Sequence, residues 1–224
     1  MTKKKLLLSA LTKFIAGLVL MGLVLFLPAG TWDYFNAWLF LGLLFVPMLI
    51  LGGILFMKAP ELLEKRLQSK EKESTQKGVV AISGLMFIGS FVLAGLDFRF
   101  GWTNVPEWVV AVAAVILLAT YGMYGEVMRE NAYLSRTVEV QENQKVIDTG
   151  LYGIIRHPMY TATIFLFLAI PVVLDSWISF AVMLLYPAAI IVRIGNEEKV
   201  LEEGLVGYKE YKQKVKYRLV PFVW

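Results

Sequence analysis

Six long apolar runs, almost free of charge and separated by short charged segments, constrain this chain more than any other feature of it. They extend from Leu6 to Leu27, Ala37 to Met57, Gly78 to Leu96, Trp108 to Val127, Pro158 to Leu174 and Trp177 to Ile194. A helix of about 20 apolar residues crosses the ~30 Å hydrocarbon layer of a bilayer, and helices satisfy their own backbone groups where lipid offers no partner. The expected fold is therefore all-α, a polytopic membrane helix bundle of about six transmembrane helices. A single membrane domain over residues 1–224 is expected: four spans in residues 1–127, then a two-span hairpin and a polar tail in residues 128–224. The tail, Gly195 to Trp224, has the character of an amphipathic helix on the cytoplasmic side. Lys3, Lys4 and Lys5 ahead of the first run resemble a signal peptide, but the run is as long as a span and no clean small-residue cleavage site follows, so an uncleaved span is expected.

The last two runs are short, since about 17 residues at 1.5 Å each reach only ~26 Å. Only Asp175 and Ser176 separate them, and Pro171 and Pro187 should bend or end helices there. A tight hairpin packed inside the bundle is the expectation.

Orientation follows from the basic residues. Of the 22 Lys and Arg residues, all but Arg99 fall in the N-terminal segment, the second–third loop, the fourth–fifth segment or the tail. Those segments share one side of a six-span chain, and positive charge marks the cytoplasmic side, so both termini are expected there. Trp32, Trp38, Trp102, Trp108 and Trp177 fall near the opposite interface, as an aromatic belt would.

Composition removes several chemistries. With no cysteine and the single histidine His157, thiolate nucleophiles, disulfides and Cys- or His-rich metal sites are excluded, and no metal is expected. The net charge of +4 sits beside apolar spans, so lipid headgroups, not nucleic acid, are the expected partners.

Polar residues collect in two segments on the basic side, Glu126 to Tyr160 and Arg193 to Trp224. The hairpin joins them, which brings Arg156-His157-Pro158 close to Arg193 and Glu197-Glu198. Each element also has a plain structural reading. Pro158 suits the first turn of a helix, Glu197 and Glu198 suit the start of a cytoplasmic helix, and Arg193 and Glu197 have i,i+4 spacing. Tyr208 and Tyr211, with Leu201, Leu205 and Val215, would seat an amphipathic helix on the membrane.

Taken together these residues are more specific. The run from Asp148 to Tyr160 resembles the G-x-Y-x-x-x-R-H-P-x-Y signature of the isoprenylcysteine carboxyl methyltransferase family, carried here by Gly150, Tyr152, Arg156, His157, Pro158 and Tyr160. Arg193, Glu197, Glu198, Leu201, Gly207, Tyr208, Tyr211, Val220 and Pro221 resemble that family's C-terminal block, and Glu130 to Arg136 is similar to its bacterial branch. The resemblance covers about the last 100 residues. Ala162 stands where the family often has glycine, and the tyrosine spacing after Gly204 differs from the family pattern.

The resemblance implies a methyltransferase that uses S-adenosylmethionine and a lipid-linked acceptor, most simply the carboxylate of an isoprenylcysteine-like group. It makes residues 128–224 the cofactor-binding half. Gly150, Tyr152, Arg156, His157, Pro158, Tyr160, Glu197, Glu198, Tyr208 and Tyr211 are the implied cofactor residues. Arg193, Glu198 and Arg156 are the implied catalytic residues, and Arg193 and Asn131 the implied acceptor residues. No G-x-G-x-x-G follows a strand, so a cofactor would bind in a helical pocket. Glu197 or Glu198 would hold its ammonium and Arg156 or His157 its carboxylate. Alternatives are a phospholipid N-methyltransferase and an NADPH-dependent sterol-type reductase, for which Arg136 and Lys145 would meet the 2′-phosphate. A transporter or assembly factor would more typically carry an ionisable group deep in the bilayer.

Overall fold

The computed structural model describes residues 2–67, 74–135, 138 and 140–224. Lys70, Lys72 and Arg136, used above for orientation and for the NADPH alternative, lie outside the described residues. The chain forms α1 (Lys3–Ala29), α2 (Phe35–Lys58), α3 (Pro60–Leu67), α4 (Ser74–Phe100), α5 (Glu107–Glu130), a 3-10 turn (Gly150–Gly153), α6 (Pro158–Val173), α7 (Trp177–Met183), α8 (Tyr186–Gly204) and α9 (Tyr208–Lys214). No strand occurs among the described residues.

Five helical stretches are long and apolar enough to cross a bilayer, with α7 and α8 together forming the last of them, and α6 is a shorter sixth. The molecule is a polytopic helix bundle and a multi-pass integral membrane protein.

The sixth apolar run departs from expectation in two ways. It is not one helix: Pro187 lacks the N–H that would bond to Met183, so α7 stops at Met183 and α8 restarts at Tyr186 with proline in its first turn. Nor does it stop at Ile194, for α8 runs on to Gly204. Glu197 and Glu198 therefore sit inside a continuous helix and do not begin one.

Helix α6 has 16 residues, about 24 Å of length, and it survives by burial. More than half of its residues are buried, and it packs against α2, α4, α5, α7 and α8. Its far end is pinned by Asp97, which is wholly buried. One carboxylate oxygen accepts the Thr103 N–H at 2.7 Å, and the other accepts the hydroxyls of Thr103 and Ser176. Ser176 also caps α7 by accepting the Ser179 N–H at 3.1 Å. The end of α4, the α4–α5 loop and the α6–α7 turn are thus tied into one unit. On the other flank α1 packs on α4 at Gly95, where a Cβ would lie 2.6 Å from the Leu25 carbonyl oxygen.

Candidate active site

Arg156 and His157 are the last two residues before Pro158 starts α6, and the chain's C-terminal segment lies across them. Their backbone N–H groups donate to the carbonyls of Tyr217 and Arg218, both at 2.9 Å. The Arg156 guanidinium donates from Nη1 to the Val215 carbonyl at 2.7 Å and the Lys216 carbonyl at 2.8 Å. Its Nε donates to Glu198 at 2.8 Å, and His157 Nε2 lies 3.1 Å from the same carboxylate oxygen. The other oxygen of Glu198 accepts from Nε and Nη2 of Arg218 at 3.1 and 3.0 Å, with Lys212 Nζ 3.5 Å away. Glu198 is only 2% exposed. Such burial of a carboxylate is tolerable because both oxygens receive charge-assisted bonds.

Glu197 belongs to a different group. The Tyr160 hydroxyl donates to it and accepts from Arg193 Nε at 2.8 Å. Arg193 and Glu197, one turn apart on α8, are thereby joined through a tyrosine of α6.

A third group forms around the 3-10 turn. Asn131, at the end of α5, donates to the Tyr152 hydroxyl at 3.1 Å, and the Tyr211 hydroxyl donates to the Tyr152 carbonyl at 2.8 Å. Gly150 has φ +51, and a Cβ there would fall 1.4 Å from a Glu130 carboxylate oxygen. Glycine leaves room for that carboxylate to accept the Leu151 N–H at 3.1 Å, closing the turn. Tyr208 and Tyr211 pack with Leu205, Val215, Val140 and Val146. This corrects the expectation that they seat α9 on lipid, because the apolar face of α9 is satisfied inside the protein. Burial raises the pKa of the Tyr152, Tyr208 and Tyr211 hydroxyls, which stay protonated. The Tyr208 hydroxyl is buried without a hydrogen-bond partner among the described residues.

These groups meet at a cavity of about 530 Å³, within the range of small-molecule sites. Of the residues singled out in the sequence, Asn131, Tyr152, Arg156, His157, Tyr160, Arg193, Glu197, Tyr208 and Tyr211 line it. Gly150, Pro158 and Glu198 do not; the first two shape the backbone and Glu198 braces Arg156 from behind. Sequence reading missed Arg218 and Glu130 as parts of the site, and Arg66 as one of its lining cations. Arg218 was marked only as one of the basic residues of the tail, and Glu130 only as the first residue of the stretch Glu130 to Arg136. The cavity is polar where Arg66, Lys145, Arg193 and Glu197 reach it. Its other end is apolar, lined by Phe87, Phe167 and Tyr186, whose ring centroids lie 4.4 to 5.3 Å apart.

The fold and site define a membrane-embedded helical protein with a small-molecule cavity at the charged end of its bundle. Residues 109–203 match the isoprenylcysteine carboxyl methyltransferase (ICMT) family, so this segment is similar to that family. Both the Arg156-His157-Pro158 block and the Glu197-Glu198 block fall within the matched residues. The chain is also similar to the uncharacterized protein YpbQ of Bacillus subtilis (strain 168), with 28% identity over 98 residues that make up 43% of this chain and 58% of YpbQ.

Proposed function

We propose that the chain is an S-adenosylmethionine-dependent methyltransferase whose acceptor is a lipid-linked carboxylate of the isoprenylcysteine type. The observation that carries this reading is the single cavity that joins a charged, tyrosine-rich end to an aromatic, apolar end. The residues present suit the cofactor. Glu197 offers a carboxylate for its ammonium, and the Tyr208 hydroxyl, buried without a partner among the described residues, is a donor for an acceptor on the ligand. The Tyr152 and Tyr211 rings supply faces for its aromatic and sulfonium parts. When bound, S-adenosylmethionine supplies an electrophilic methyl group.

The chain's own residues do the rest. Arg193 anchors the acceptor, because guanidinium binds carboxylates in a fork geometry. Tyr160 holds the Arg193 side chain and Glu197 in a fixed relation, and Asn131 fixes the Tyr152 hydroxyl. Arg156, His157 and Glu198 act by position, holding the C-terminal segment against the cavity wall. A carboxylate is already ionised at neutral pH, so holding it in line supplies the acceleration and no general base is required. The acceptor's tail enters sideways from the bilayer toward Phe87 and Phe167, and the basic end of the bundle faces the cytoplasm with both termini.

Calorimetry in mild detergent tests the reading, with S-adenosylmethionine, S-adenosylhomocysteine and NADPH as ligands. Binding of the two adenosyl ligands, lost in Glu197→Gln, is expected. Binding of NADPH alone would replace the proposal with a reductase.

A further inference from the structure

The segment after α9 is a closed hook with an exposed apolar tip. Its backbone is fixed to the bundle at Arg156 and His157, and the Thr161 hydroxyl donates to the Leu219 carbonyl at 2.9 Å. The N–H groups of Arg218, Leu219 and Val220 converge on the Trp224 carbonyl at 2.9, 3.0 and 3.2 Å. On its inner side Leu219 is buried against Tyr186, Ile190 and Ile194, and Trp224 packs on the same cluster. The outer side is the opposite: Phe222 is 87% exposed, Val223 78% and Val220 43%. Phe222 has φ +65, a conformation that non-glycine residues seldom adopt, and it lies in the turn that folds the hook back.

Two observations say what covers this tip. The helix on which the hook is seated belongs to a membrane-spanning stretch, and it exposes Ile191 and Val192 beyond the face that Leu219 covers at Ile190 and Ile194. The chain leading into the hook carries Lys209, Lys214 and Lys216, all exposed, at the charged end of the bundle. Lys214 pairs with Asp148 at 2.6 Å, and exposed lysines followed in the chain by an exposed apolar tip match an anionic lipid surface.

We propose that the hook inserts Val220, Phe222 and Val223 into the anionic bilayer leaflet at the basic end of the bundle, and that this insertion braces the Arg218–Glu198–Arg156 network. The bilayer then serves as a structural partner of the site, because the inserted segment is the one that supplies Arg218 and the carbonyls held by Arg156. The proposal rests on the membrane-spanning fold and is independent of the reaction catalysed.

The chain contains no cysteine, so single cysteines at Phe222→Cys and Val223→Cys take a nitroxide label specifically, and both positions are exposed. Labelled protein is reconstituted in vesicles of phosphatidylcholine and phosphatidylglycerol, with Val192→Cys as the lipid reference and Glu142→Cys as the aqueous one. At positions 222 and 223 the label is expected to collide with oxygen and be shielded from a water-soluble nickel chelate, as at position 192. Chelate access equal to that at position 142 would overturn insertion. In phosphatidylcholine alone the shielding is expected to weaken, and unchanged shielding would remove the lysines from the proposal. Hydrogen exchange reads the bracing. In a Phe222→Asp, Val223→Asp variant the Arg156 and His157 amides should exchange at least tenfold faster while α5 keeps its protection, and unchanged exchange at these two amides would refute it.

Discussion

Replacing Glu198 by glutamine changes almost no volume and isolates its charge. In the structure the carboxylate receives Arg156 and His157 on one oxygen and two donors of Arg218 on the other. A glutamine keeps one acceptor oxygen and turns an NH2 toward a guanidinium, so at least one arginine loses its partner in a site where Glu198 is 2% exposed. Breaking one side of a buried ion pair costs about 3–5 kcal/mol. Arg218 is about a third exposed and water screens part of its share, so the low end, about 3 kcal/mol, is the better figure. For a chain of this size about 1 kcal/mol moves Tm by roughly 2–4 °C, giving a fall of roughly 6–12 °C. Glu197 makes the control. It accepts from Tyr160 and faces the cavity, and Glu197→Gln retains an acceptor there, so its cost should stay below about 1 kcal/mol. The assay is thermal unfolding of ligand-free protein in detergent, paired with S-adenosylhomocysteine affinity. Glu198→Gln should lose stability, whereas Glu197→Gln should lose affinity at nearly unchanged Tm. If Glu198→Gln melts with wild type, or Glu197→Gln is the less stable of the two, the division of labour between these adjacent carboxylates is wrong.

Other perturbations follow from the same geometry. Gly150→Ala must displace the Glu130 carboxylate and hold alanine at φ +51, which should cost about 2–3 kcal/mol and speed hydrogen exchange at the Leu151 amide. Asp97→Asn removes an acceptor for Thr103 or Ser176 at a fully buried position, and Tm should fall by the equivalent of about 1–3 kcal/mol. Tyr208→Phe deletes a buried hydroxyl that lacks a partner among the described residues; thermal unfolding should show equal or higher stability, and calorimetry a weaker adenosyl ligand. The raised pKa values of Tyr152, Tyr208 and Tyr211 mean that their neutral forms support the fold. This contribution is intact below about pH 10, the ordinary tyrosine value, and falls as pH rises toward the raised values, so phenolate absorbance of these three should appear only above that point or on unfolding.

The spans were readable because a bilayer imposes a crude and strong rule, a run of apolar residues long enough to cross. The break at Met183–Tyr186 lay in the sequence as Pro187, whose missing N–H is a local fact. The extension of α8 to Gly204 was not readable, since Arg193, Asn196, Glu197 and Glu198 look like the start of a solvated segment until tertiary partners are known. Arg193 and Glu197 meet Tyr160 of α6, while Glu198 meets Arg218, 20 positions on, and no local periodicity announces a segment that hydrogen-bonds as an extended strap. The same applies to Tyr208 and Tyr211, whose spacing fits either a lipid-facing stripe or a protein-facing one. Only Val140 and Val146, arriving from before α6, decide between the two.

Adjacent carboxylates on one helix project about 100° apart, because α8 turns once in about 3.6 residues. Glu197 and Glu198 therefore cannot serve the same surface. One must face the cavity and Tyr160, while the other faces the strap and Arg156. The pair joins two functions in one place: a carboxylate with remaining capacity for a cationic ligand, and a carboxylate that keeps the wall behind that ligand closed. Because Arg156 both lines the cavity and binds Glu198, loosening the strap would move the cavity wall itself. Loss of Arg218 should therefore reach ligand affinity although Arg218 does not line the cavity.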